Sequence, residues 1–368
     1  MLRRIQHNKI HFFLFLLLLS ASLWGCNTEL KRARLLESKK DFKQAVQFFE
    51  LALKKDPEND DLWKTTAKIY CEKLNISSRC KKKSEVLYER YPKDGTFRKW
   101  YKKSLYVNTR DIYMAKQLKL ASREFGKYIK LDPENGKVHF MLANIKFRQN
   151  RLPPRDHRVL ALALKDYDKA LKFTKSTDEL TVLNPRDKRI IHYASYMQKG
   201  RIFEVFILKE FVKWQKKMRK EAMEEAKRKA KEAKEKPKRR RRRRRAKQEQ
   251  PKPKPWFKPN SEHFEKAMAC YLGASKINHP NKFNRALPYI QMGLFYARFK
   301  RDYPTAIKWL KKAKEQDNLN MSAISNLKQL YDRLKDQADE AKDKKLARKY
   351  ELEANKYDSE MASILGKQ

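Results

Sequence analysis

Glycine, cysteine and acidic residues are all scarce in this chain of 368 residues, which has 8 Gly, 4 Cys and 44 Asp+Glu against 90 Lys+Arg. So few glycines argue against β-sandwiches and against the glycine-rich loops that bind nucleotides, and they favour helices. Hydrophobic residues make up 40% of the chain and aromatic residues 11%, which is too much for a disordered protein. A folded, helical core is therefore expected.

The shortage of acidic residues leaves a formal net charge of +46. A chain this basic attracts polyanions, which include nucleic acid, anionic lipid, lipopolysaccharide phosphates and acidic proteins. Its length suffices for two average domains or for one long repeat array. Charge alone does not choose among these partners, so the choice depends on the compartment in which the chain resides.

Catalytic and metal-binding motifs are also missing from the sequence. It contains no HExxH, no GxSxG, no CxxC and no glycine-rich phosphate loop, and its seven histidines are scattered. Asp156 and His157 are adjacent, but adjacent residues do not face each other on a helix. The sequence thus predicts a non-enzymatic protein with no catalytic residues, no metal ligands and no cofactor.

The N-terminus, MLRRIQHNKIHFFLFLLLLSASLWGCN, has the three parts of a signal peptide. Arg3, Arg4 and Lys9 form a positive start, and residues 12–19 form an unbroken apolar run. This run is too short for a comfortable membrane-spanning helix. Small and apolar residues then lead to a cysteine.

The tetrapeptide Leu23–Cys26 resembles the lipobox of bacterial lipoproteins, in which a small residue precedes the cysteine. This resemblance implies that residues 1–25 are removed, that Cys26 is lipidated, and that the chain is anchored in the bacterial cell envelope facing the periplasm. In such lipoproteins an aspartate directly after the cysteine commonly retains the protein in the inner membrane. This chain has Asn27 there, which resembles the sequences sorted by default to the outer membrane. The alternative is an uncleaved signal anchor with a chance cysteine. A lipoprotein would not meet chromosomal DNA.

A helical pattern recurs through the rest of the chain. In KKDFKQAVQFFELALKKDPEN, Phe49 lies between Ala45 and Ala52, and Pro57 follows. Related residues recur at Ala121, Phe125, Tyr128 and Pro133; at Ala163, Tyr167 and Ala170; at Ala267, Tyr271 and Ala274; and at Gly293, Tyr303, Ala306, Leu310 and Ala313. The tetrapeptide DPEN closes two of these copies.

This pattern resembles tetratricopeptide repeats, in which small residues let two helices approach closely. The resemblance implies an all-α solenoid of roughly seven helix pairs, with repeats at 26–200 and 261–368 and insertions around 72–112 and 147–158. It also implies a groove that binds a partner protein, and the basic surface favours an acidic partner. Generic amphipathic helices are the alternative, because any buried helix face shows apolar residues at i, i+4 and i+7.

Residues 201–260 interrupt the repeats. They are predicted to form a projecting helix that Pro237 ends, followed by the disordered segment KPKRRRRRRRAKQEQPKPKP. The candidate polyanion-binding residues are Arg239, Arg240, Arg241, Arg242, Arg243, Arg244 and Arg245. They would contact anionic lipid or lipopolysaccharide; a solubilising insert is the alternative. Nucleic acid is disfavoured, because base stacking needs aromatic residues among the cations.

Three cysteines remain besides Cys26. Cys71 and Cys80 could form a disulfide in an oxidising periplasm, or they could be two free thiols. Cys270 lies on an apolar helix face and is predicted to belong to the core.

Together these features predict a membrane-anchored periplasmic scaffold that binds a partner protein in an envelope assembly. Two alternatives remain. One is an envelope module whose main ligand is a polyanion such as lipopolysaccharide or the cell wall. The other is a nucleic-acid-binding protein, which requires that the N-terminus is not a signal peptide.

Overall fold

A computed structural model describes residues 28–150, 155–173, 185–235, 257–259 and 261–366, and these contain helices but no β-strand. The first helix, α1, spans residues 28–38. The others are α2 Phe42–Lys55, α3 Asp60–Lys68, α4 Ser77–Arg90, α5 Gly95–Met114, α6 Leu118–Leu131, α7 Gly136–Gln149, α8 His157–Lys172, α9 Pro185–Glu235, α10 Ser261–Ser275, α11 Lys282–Phe295, α12 Tyr303–Gln316, α13 Met321–Glu340 and α14 Lys344–Leu365. Two π-helical turns, Ile69–Lys73 and Tyr296–Lys300, extend α3 and α11.

The chain divides into two compact units, an N-terminal unit of residues 1–133 and a C-terminal unit of residues 134–368. The described helices α1–α6 belong to the first unit and α7–α14 to the second. In the C-terminal unit each odd-numbered helix packs most extensively against the even-numbered helix that follows it, whereas in the N-terminal unit α4 packs more extensively against α5 than against α3. The fourteen described helices thus give seven consecutive helix pairs, in agreement with the roughly seven that the sequence predicts.

Tight turns with a basic residue in the left-handed conformation join the two helices of four pairs. The residues are Lys40, Lys116, Arg301 and Lys342, with φ values of 61°, 61°, 53° and 62°. In three of these turns an aspartate follows and caps the second helix: Asp41 accepts from the Gln44 N–H, Asp302 from that of Thr305 and Asp343 from that of Leu346. Each cap satisfies an N–H group that has no partner within the helix. These short sequences thus fix where the second helix begins.

A second type of turn precedes the first helix of several pairs. Asn59, Asn135 and Asn320 accept hydrogen bonds from the backbone N–H groups of Leu62, Val138 and Ala323. In two of these turns the same asparagine also donates to the aspartate three residues earlier: Asn59 to Asp56 at 3.0 Å and Asn320 to Asp317 at 3.1 Å. The DPEN sequence is therefore a capping turn, and DNLN at 317–320 is a third copy of it.

Small residues allow the helices of a pair to approach closely. A Cβ atom placed on Gly293 of α11 would lie 2.8 Å from Cγ of Leu310 and 3.0 Å from the carbonyl oxygen of Ala306, both in α12. Ala306 and Leu310 are completely buried. The repeat positions named from the sequence in the other pairs are buried as well: Ala45, Phe49, Ala52, Ala121, Phe125, Tyr128, Ala163, Tyr167, Ala170, Ala267, Tyr271 and Ala274. The repeat pattern therefore predicted the packing surfaces correctly.

Ion pairs connect α4 to helices on both sides within the N-terminal unit. Lys83 of α4 lies 3.7 Å from Glu50 of α2, and Lys81 of α4 contacts Glu124 of α6. Glu124 is buried, which by itself would raise its pKa, but Lys81 and Lys127 outweigh burial and lower it. Lys81 and Lys83 are two residues apart, so they point to different sides of the helix. The second helices of these pairs are thus linked through charge as well as apolar contacts.

The segment after Cys71 differs from the sequence prediction. The sequence predicts an insertion around residues 72–112, but Cys80 lies inside the regular helix α4. The extra length of this repeat comes from α5, which has 20 residues against 14 in α6. The chain reverses through Asn75, whose φ is 51°. A disulfide joins Cys71 to Cys80, with the Cα atoms 4.9 Å apart. Residues 151–154, in the other predicted insertion, lie outside the described residues.

Replacing Ala306 by leucine is expected to destabilise the C-terminal unit by roughly 1–3 kcal/mol, because the added methylenes have no room between α11 and α12. Thermal unfolding followed by circular dichroism measures this. The matched control is Ala222→Leu, at an exposed position of α9, which should leave the melting temperature almost unchanged. Equal melting of Ala306→Leu and the wild type would contradict the packing described for this pair.

Candidate functional site

The residues that the sequence singles out for lipid and polyanion contact, Cys26 and Arg239–Arg245, lie outside the described residues. Their roles therefore remain predictions. Among the helices that are described, none combines the length and the apolar composition needed to cross a membrane.

The C-terminal unit contains a groove of about 790 Å³, lined mainly by the first helices of its last three pairs. Phe211 of α9, Leu294 of α11 and Leu330 of α13 supply its larger apolar side chains. Leu330 is buried, and Phe211 and Leu294 are partly buried. The groove thus contains apolar side chains from three helices within a lining that is otherwise mostly polar.

Polar side chains of α13 form one wall of the groove. Asn326, Gln329, Arg333, Gln337 and Glu340 line it, and they recur at intervals of three or four residues. This spacing places them along one side of the helix. Amide side chains both donate and accept hydrogen bonds, so this wall can pair with the N–H and C=O groups of a bound peptide backbone.

The charge of the groove is nearly balanced, although the chain as a whole is strongly basic. Its lining contains Arg298, Arg301 and Arg333 against Asp336 and Glu340. Nη1 of Arg298 also donates to Oε1 of Glu204 at 2.6 Å, which neutralises part of the positive charge. The basic surface expected from the sequence is therefore not concentrated here. Arginines at this site would select individual carboxylates of a ligand, because a guanidinium can bind a carboxylate with two hydrogen bonds.

No motif in the sequence singles out these polar groove residues. They come from segments that are far apart in the chain and meet only when α9, α11 and α13 are adjacent. The available signal was the polar stripe on α13, at helical spacing beside a fully apolar face. That stripe alone is not distinguishable from an ordinary solvated helix face.

Three aromatic rings form a clasp where α9 leaves the core. Phe211, Trp214 and Phe257 lie with their ring centroids 5.7 Å (Phe211–Trp214), 5.2 Å (Phe211–Phe257) and 5.9 Å (Trp214–Phe257) apart. Phe257 is only 4% exposed. Phe257 therefore packs against the same part of α9 at which the exposed stretch of that helix begins. Residues 215–256 are called the arm below, and residues 236–256 of it lie outside the described residues. Because Phe211 also lines the groove, the arm begins next to the groove.

The described part of the arm is a helix without a packing partner. From Arg219 to Lys231 every side chain is exposed. Ion pairs between residues one helical turn apart stabilise this helix: Lys217–Glu221, Lys220–Glu224 and Glu225–Lys229. Such pairs, together with helix-favouring Ala, Lys and Glu, maintain helical structure in water. The projecting helix predicted from the sequence is present, but α9 begins at Pro185, so the predicted boundary at residue 201 falls inside it.

Groups that could carry catalysis have structural roles where they are described. Asp156 caps α8 by accepting from the N–H groups of Arg158 and Val159. Burial and the nearby charges of Lys209 and Arg155 lower the pKa of His157. Burial raises the pKa of the Cys270 thiol to about 11, so this thiol is not a nucleophile at neutral pH. Within the described residues no group of three or more His, Cys, Asp or Glu side chains is arranged to hold a metal ion.

No protein-family model matches the sequence, and no protein of curated function matches it either. Solved structures with similar folds include the C-terminal part of a TPR repeat-containing protein from Cytophaga hutchinsonii, at 11% identity and a TM-score of 0.38 over 92% of this chain and 98% of that one. A tetratricopeptide repeat protein from Parabacteroides merdae matches at 13% identity and a TM-score of 0.27, over 83% of this chain and 98% of that one. PilW, a widely conserved type IV pilus biogenesis factor, matches at 15% identity and a TM-score of 0.29, over 93% of this chain and 98% of that one.

These similarities are too distant to bear on what the chain does. The assignment of the fold depends instead on the chain's own helix pairs, capping turns and buried small residues. On that basis the protein has an all-α fold built from tetratricopeptide-like helix pairs.

Proposed function

We propose that the chain is a non-enzymatic scaffold of the bacterial cell envelope, anchored through a lipidated Cys26, that holds a segment of a partner protein in the groove of its C-terminal unit. The observation that carries this proposal is the combination of a few apolar side chains, an amide-lined wall and arginines in that groove. This is the chemistry that binds a peptide: apolar side chains give affinity, and polar groups fix register.

The groove also indicates what kind of segment it takes. Phe211, Leu294 and Leu330 provide contacts for apolar side chains of the ligand, and Arg333 provides a partner for a carboxylate beside them. Asp336 and Glu340 disfavour a second carboxylate one turn further along α13. A segment with apolar residues and a single well-placed acidic residue therefore fits better than a uniformly acidic one.

A photo-reactive residue at Gln329, in the groove, is expected to cross-link a partner in the native envelope. The matched control is the same residue at Asn355, an exposed position on the solvent face of α14. The cross-link from Gln329 should persist at about 0.5 M NaCl, because apolar contacts are little affected by ionic screening. Charge reversal in Arg333→Glu should weaken it. Equal capture from both positions would place the partner elsewhere.

The arm provides a second surface for the proposed scaffold. Its seven arginines lie between the ends that the aromatic clasp holds together, so deletion of residues 237–255 should leave melting temperature and helical content nearly unchanged. Binding to vesicles that contain phosphatidylglycerol should weaken strongly, and the slope of log affinity against log salt should become shallower. Replacing the same seven arginines by glutamine is the matched control for arm length. Unchanged binding in both variants would make the arm a solubilising insert.

Lipidation is tested by metabolic labelling with palmitate. The wild type should incorporate label, and Cys26→Ala should not, because the diacylglycerol is attached to that thiol. Globomycin should cause an unprocessed form to accumulate. Label that is absent from the wild type, or retained in Cys26→Ala, would contradict the lipid anchor. Nucleic acid would then again be a candidate ligand of the seven arginines.

A further inference from the structure

Helix α1 separates its charges onto two sides. Lys31, Arg32 and Arg34 are exposed, whereas Glu29 and Glu37 are partly buried on the side that carries the buried Ala33. Glu29 is further neutralised by Lys55 of α2, whose Nζ lies 3.0 Å from its carboxylate. The outer face of α1 is therefore purely cationic.

The turn after α1 continues this cationic surface. Lys39 and Lys40 are both exposed, and neither they nor Lys31 and Arg34 form an ion pair with another described residue. Arg32 lies over the ring of Phe48, 4.6 Å from its centroid. Elsewhere in the described chain, carboxylates are placed between helices opposite lysine or arginine, as in Lys314–Glu360 and Lys328–Asp358. Within the described part of the chain, no such carboxylate faces the outer side of α1.

The sequence fixes where this face lies relative to the proposed lipid anchor. Only Asn27 lies between Cys26 and residue 28, where α1 begins. Even fully extended, the two steps from Cys26 to Thr28 span about 7 Å. The start of α1 is therefore within the Debye length of about 8 Å at physiological ionic strength, and a helix that lies along the membrane keeps its cations within range of the surface charge.

On the basis of the proposed anchor, we infer that the outer face of α1, formed by Lys31, Arg32, Arg34, Lys39 and Lys40, binds the anionic phospholipid headgroups of the membrane that holds the lipid. The short link to Cys26 favours this occupant over an acidic protein, because the headgroups are always present at high local concentration. Each basic residue near an anionic surface strengthens binding by roughly fivefold. The face would thus fix how the N-terminal unit is oriented on the membrane.

Leu35 offers a reporter for this contact. It lies among these cations on the same face and is 55% exposed. One exposed leucine needs no explanation by itself. A cysteine introduced there would be the accessible thiol, because Cys71 and Cys80 form a disulfide, Cys270 is buried, and the proposal places lipid on Cys26.

The experiment uses the lipidated full-length protein reconstituted into vesicles that contain phosphatidylglycerol and a nitroxide-labelled lipid. A bimane fluorophore is attached at Leu35→Cys. The matched control is Leu352→Cys, at a position on α14 that is 64% exposed and adjoins Lys345, Arg348 and Lys349. Quenching at position 35 should exceed that at position 352 several-fold. It should fall several-fold in phosphatidylcholine vesicles and in a Lys31→Glu/Arg34→Glu background.

Quenching that is equal at the two positions, or that is unaffected by phosphatidylglycerol and by charge reversal, would overturn the inference. Circular dichroism of the double reversal should match the wild type, since both side chains are exposed. Palmitate incorporation is measured in the same preparations. A missing lipid, which would refute the proposed anchor, is thereby distinguished from a lipidated protein whose α1 does not touch the headgroups.

Discussion

The close contact between the two helices of a pair is the constraint on which the rest of the structure depends. A helix that is apolar on one side is stable only if that side is covered, and the pairs achieve this with very small residues at the crossing. Gly293 against Ala306 and Leu310 shows how little space remains. Once the pairs are this tight, their remaining apolar edges can be covered only by neighbouring pairs, which stacks the helices and brings α9, α11 and α13 together around the groove.

The distribution of charge follows from that stacking. Carboxylates are few, and many of them lie between helices, as in Lys81–Glu124, Lys146–Asp166 and Arg298–Glu204. A carboxylate between helices opposes the repulsion among cations where the helices are closest. The cations that remain are displayed outward, on α1, on the helical part of the arm and on α14. The strong positive charge of the chain is therefore a property of its outer surfaces more than of its groove.

Much of the fold could be predicted from the sequence because its signals are local. An aromatic residue between two alanines, such as Phe49 between Ala45 and Ala52, marks a buried helix face, and DPEN marks the turn that caps the next helix. The segment around Cys80 was misjudged because α4 has little apolar periodicity, and its helix is stabilised by contacts with its neighbours. The groove could not be predicted, because Phe211, Leu294 and Leu330 are brought together only by tertiary packing.

The aromatic clasp has a consequence for the order in which the chain folds. Most helix partners here are joined by a few residues, so their contacts are local in sequence, and arrays of that kind fold quickly. The α9/α10 pair is different, since Phe211 and Phe257, which are in contact, are 46 positions apart in the sequence. The entropic cost of closing a loop grows slowly with its length, so the cost here is modest, but it is borne by the α9/α10 pair alone. If the chain folds progressively from its N-terminus, the docking of α10 onto α9 would be the slowest step in forming the C-terminal unit.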